Sequence, residues 1–79
     1  MRLDELRVGM VVRVNEHYPS RGSQDYGGRI TEMNRRREWP VAVQVYGLGC
    51  AQVHRYAPDE LDLATEDDLE HWETLDALG

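Results

Sequence analysis

A chain of 79 residues makes one domain that buries only roughly 60% of its unfolded surface, which leaves little room for a deep, enclosed catalytic cavity. No apolar run approaches the roughly 20 residues needed to span a bilayer, the N-terminus lacks the basic-then-apolar pattern of a signal peptide, and a single cysteine, Cys50, excludes an intrachain disulfide; a soluble, cytoplasmic protein is expected. The net charge of −6 divides unevenly: residues 1–57 hold nine arginines against six acids, a balance of +3, while residues 58–79 hold nine acids and no base, a balance of −9.

The overall sign opposes unaided binding to a nucleic-acid backbone, yet it allows a local basic patch. Lysine is absent. Arginine suits bidentate and stacked contacts, although the codon bias of a GC-rich genome explains its use more plainly.

In chain order, Leu3 and Leu6 are spaced for one side of a single turn. Val8 to Val14 reads as a first strand, with Val8, Met10, Val12 and Val14 on one face and Gly9 and Arg13 on the other. Asn15 to Gly27 is rich in turn formers and carries His17, Tyr18, Arg21 and Tyr26; loops of that length in a small domain lean towards function or disorder. Gly28 to Met33 reads as a second strand, joined to a third by the polar, basic connection Asn34-Arg35-Arg36-Arg37-Glu38.

Trp39 leads into the segment that organises the chain, Pro40 to Gly47. Here Val41, Val43 and Val45 alternate with Ala42, Gln44 and Tyr46 in the period of a half-buried strand. Tyr46 falls on the face opposite the valines, so it is expected to be exposed or covered by a helix. Gly47-Leu48-Gly49 reads as a tight turn, Cys50 to Tyr56 as a fourth strand, Ala57 to Glu60 as a break with one helical turn, and Leu61 to Ala64 as a short fifth strand that closes the sheet.

Thr65-Glu66-Asp67-Asp68 has the form of an N-cap with three acids in the first helical turn. The helix is expected over 65–78 and carries an apolar stripe of Leu69, Trp72, Leu75 and Leu78. An isolated helix this short is marginal in water, so the stripe must dock. The first candidate is one mouth of the chain's own barrel; a partner protein or a second copy are the alternatives.

Five short strands, a long first loop, a basic hairpin and a one-turn interruption before the last strand resemble the SH3-like barrel. Leu6 to Val14 is similar to the opening of many such domains, including those of translation and transcription factors, and Tyr56 to Leu63 resembles their closing turn and strand. The resemblance covers residues 6–64. It implies a mainly β fold, a five-stranded SH3-like barrel with one C-terminal α-helix, in a single domain spanning 1–79. Trp39 matches the tryptophan that heads the middle strand of peptide-binding SH3 domains. Tyr18 to Tyr26 only echoes their tyrosine-rich run.

On that fold Tyr18, Tyr26 and Trp39 are candidates to line a groove that holds a peptide, a methylated amine or a stacked base. The plainer reading is that these rings wrap a core that lacks phenylalanine. Arg35, Arg36 and Arg37 beside Trp39 are candidates to grip phosphates or an acidic partner; against this stand a solvated hairpin tip and neutralisation by the chain's own acidic tail. Trp72 is a candidate contact if the helix serves as an interface.

Cys50 and His54 lie about 13 Å apart by strand rise, too far to share one zinc. No nucleophile with a base and an orienting group is evident, and the carboxylates have no enclosed site. No catalytic residue, metal or cofactor is expected. The expectation is a non-enzymatic protein-binding module, monomeric or homodimeric and away from membranes. Nucleic-acid binding through Arg21, Arg29 and Arg35 to Arg37 is the alternative.

Overall fold

A computed structural model describes residues 2–15, 26–47 and 51–78. Among them, one antiparallel sheet of five strands is built from β1 (Val11–Val14), β2 (Gly27–Met33), β3 (Val41–Tyr46), β4 (Gln52–Tyr56) and β5 (Leu61–Leu63), followed by one helix, α1 (Glu66–Leu78). The strand order is β4-β3-β2-β1-β5. The expected closure into a barrel does not occur: β5 pairs with β1 alone and β4 with β3 alone, so both are edges of an open sheet. A 3-10 turn over Pro58–Glu60 carries the chain between these edges, held by the Asn15 N–H donating to the Glu60 carbonyl at 2.7 Å.

The first strand begins three residues later than its alternation suggests. Gly9 has φ +92°, a conformation that ends β pairing and that residues with a side chain rarely adopt. Val8 is therefore exposed in a turn rather than facing the core.

The valine alternation of β3 works as read. Val41, Val43 and Val45 join Val12, Val14, Ile30 and Leu61 in the principal core on one face of the sheet. A bulge in β2, where the register with β3 shifts between Ile30 and Glu32, swaps the two faces. Ile30 therefore faces the core before it, and Met33 packs against that core after it.

The opposite face of the sheet carries a second, smaller core of Val11, Leu69 and Trp72, with Tyr46 packed against it. The helix thus lies across an outer sheet face instead of plugging a barrel mouth, and it packs against Tyr46, one of the two outcomes the alternation left open. Gly27 is the reason Trp72 fits there. A Cβ at residue 27 would lie 2.8 Å from the Trp72 ring and would strike the Val12 carbonyl oxygen, so only glycine leaves the indole its seat.

The start of α1 follows the sequence closely. The Thr65 hydroxyl accepts from the Asp68 N–H at 3.2 Å, and the Asp68 carboxylate accepts from the Thr65 N–H at 3.0 Å, a reciprocal cap in which Asp replaces the usual Glu. Its apolar stripe departs from expectation, because Leu75 and Leu78 are 42% and 81% exposed. A three-residue repeat falls about 60° short of a full turn at each step. Leu78 therefore points away from the sheet that Leu69 faces. Asp76 takes the docked position instead and accepts from the Gly47 N–H at 2.9 Å.

Candidate binding surface

The β2–β3 hairpin tip is fixed by its own backbone. The Asn34 N–H donates to the Pro40 carbonyl at 2.7 Å, and the Arg37 N–H donates to the Asn34 carbonyl at 3.2 Å. The Asn34 side-chain oxygen accepts from the Arg36 N–H at 3.0 Å, the local bond that suits Asn to the first position of a turn. Pro40 is buried, whereas residues 35–39 are all exposed. The tip therefore presents Arg35, Arg36, Arg37, Glu38 and Trp39 outward from an ordered loop, and the Trp39 residue is 51% exposed.

The charges of the molecule separate the tip from the rest. Three ion pairs form among the described residues. Arg29 grips Glu66 with one guanidinium nitrogen, at 2.8 and 3.1 Å, and also donates to the Gly9 carbonyl at 2.7 Å. Arg13 meets Asp68 at 3.5 Å, with its guanidinium 6.0 Å from the Trp72 ring centroid. Arg55 meets Glu32 at 3.3 Å. The acidic tail thus neutralises the outer sheet face and not the tip: among the described residues no carboxylate pairs with Arg35, Arg36 or Arg37. The backbone N–H of Thr65, bonded to the Asp68 carboxylate, holds that group below its ordinary pKa, with the Thr65 hydroxyl and Arg13 adding to the effect against partial burial.

Among the described residues, those singled out in the sequence do not converge into one groove. Tyr26 is a member of the principal core, and Trp72 is fully buried under its own helix. Neither offers a ring to a partner, because the sheet itself needs both to cover its two faces. Tyr18 and Arg21 lie outside the described residues. Arg29 is engaged with Glu66 on the helix side. What remains together and outward is Trp39 with Arg35, Arg36 and Arg37.

Sequence reasoning missed the Arg13–Asp68 and Arg29–Glu66 contacts, which join residues 55 and 37 positions apart. It also missed Asp76. A count at 3.6 residues per turn groups Leu69, Trp72 and Asp76, and that signal was present. Among the described residues no group of three or more His, Cys, Asp or Glu side chains converges as a metal site, and no helix is long and apolar enough to cross a membrane. Comparison with protein-family models, with curated proteins and with solved structures found no match to this chain.

Proposed function

We propose that this chain is a small, non-enzymatic protein-binding module that contacts its partner through the β2–β3 hairpin tip. The strand order β4-β3-β2-β1-β5 and the 3-10 turn before β5 support an SH3-like reading of the sheet. The observation that carries the functional reading is the exposed Trp39 beside three arginines that form no ion pair among the described residues. Trp and Arg dominate the energetic centres of protein interfaces, and a loop already ordered by its own hydrogen bonds loses little freedom on binding.

Magnitude favours a protein over a nucleic acid. Three phosphate contacts give a salt slope of only about −2 to −3, where nucleic-acid binders making 6–10 contacts owe most of their affinity to that term. The net charge of −6 works against even this. A protein partner needs only a pocket for Trp39 and one or two carboxylates.

The test compares proteins captured from the native host by the parent and by Trp39→Ala. At least one partner should be retained by the parent, survive nuclease treatment and be lost with the variant. If no Trp39-dependent protein is found, the reading fails. Tight binding to oligonucleotides that disappears in R35A/R36A/R37A would put nucleic-acid recognition in its place.

A further inference from the structure

α1 uses one side on its own sheet and leaves the other bare. Leu69, Trp72 and Asp76 form the docked side. At 100° per residue the far side carries Asp67, Glu70, His71, Thr74 and Leu78, with Glu73 on one flank and Leu75 on the other. Leu75 and Leu78 are exposed apolar side chains that the chain's own fold leaves uncovered. Asp67, Glu70 and Glu73 are exposed and take part in none of the ion pairs among the described residues.

The hairpin tip offers the matching chemistry: three guanidiniums and one large ring. Within a single molecule the two surfaces do not pair. The tip lies at the Pro40 end of β3, while the second half of α1 reaches Gly47 at its other end, and six residues of strand span about 20 Å.

We propose that the partner of the tip is a second copy of this chain. The tip of one molecule docks on the bare side of α1 of another, with Arg35 to Arg37 facing Glu70 and Glu73, and Trp39 covering Leu75 and Leu78. The inference rests on the tip being the contact surface and names what it contacts. Charge and apolar complementarity carry it together, because each surface has what the other lacks. The −6 charge on each body opposes the approach, but at about 0.15 M salt the Debye length is about 8 Å, so repulsion between whole bodies is screened while pairs in contact keep their attraction. Different patches meet, so the contact is heterologous. It builds open chains unless two copies exchange tips reciprocally.

Sedimentation velocity over a concentration series tests this with the parent, R35E/R36E/R37E, E70R/E73R and Trp39→Ser. At about 0.15 M salt the parent's average mass should rise with concentration, and it should return towards monomer at about 1 M salt. Both charge-reversed variants should stay monomeric alone. An equimolar mixture of the two should regain association, since each then supplies the surface the other has inverted. Trp39→Ser, which keeps every charge and guards against misfolding of the reversed variants, should weaken association at least several-fold. A parent that stays monomeric throughout, a reversed variant that associates like the parent, or a mixture that stays monomeric overturns the proposal. If the parent is monomeric while another protein is still captured in a Trp39-dependent way, the identity of the partner fails and the tip reading stands.

Discussion

The two tryptophans of this chain sit in opposite environments, and the difference has measurable consequences. Trp72 is fully buried over Gly27, so Trp72→Ala removes the centre of the second core and should destabilise the fold by about 3–5 kcal/mol. Trp39 is half exposed at the tip, and Trp39→Ala should change stability by no more than about 0.5 kcal/mol. Chemical denaturation of the two variants checks both values; a large loss with Trp39→Ala would mean that its ring is structural. In the sequence both are candidate contacts, Trp39 at the head of the middle strand and Trp72 within the apolar stripe of a helix that must dock. What separates them is a glycine 45 positions before Trp72, and Gly27 in a Gly-Gly pair reads as a strand start, not as a seat for an indole.

At the scale of elements, α1 is held at its start by the Thr65–Asp68 cap and at its far half by Asp76 on Gly47. The Asp68 carboxylate is a better acceptor ionised than protonated, and its pKa is lowered in the folded chain. Its contribution to stability is therefore fully present above the ordinary aspartate pKa of about 3.9 and is lost as pH falls through the lowered value. Asp68→Asn should lower the melting temperature at pH 7, and the gap from the parent should close as the pH falls below the ordinary aspartate range and through the lowered value. A gap that stays the same over that fall would show that the effect is not ionic.

The strands and the capped start of α1 were legible because each depends on neighbours within a few residues. The bulge in β2, the late start of β1 and the open edges were not. They follow from backbone angles and from pairings between distant strands, which no local pattern of side chains records. The arginine tip was legible as a charge run. Its freedom from the acidic tail became visible only once Arg13 and Arg29 were seen to engage Asp68 and Glu66.

At the scale of the whole molecule, α1 crosses the sheet from the start of β1 to the end of β3, held by residues 29 to 55 positions away in sequence. The β2–β3 hairpin needs only a short loop to close. Contacts between near neighbours form early, whereas distant ones wait for the chain to search. Assembly is thus expected to run from the hairpin outward, with docking of the helix as its last step and undocking as its first failure. Native-state hydrogen exchange should show the amides of β2 and β3 exchanging only through global unfolding, and those of α1 sharing a smaller opening energy of their own. Equal protection in both would rule out that order. The consequence reaches the tip: it belongs to the hairpin that forms first and opens last, so Trp39 and the three arginines should stay presented after the helix has left the sheet, while the α1 surface proposed to receive them is lost.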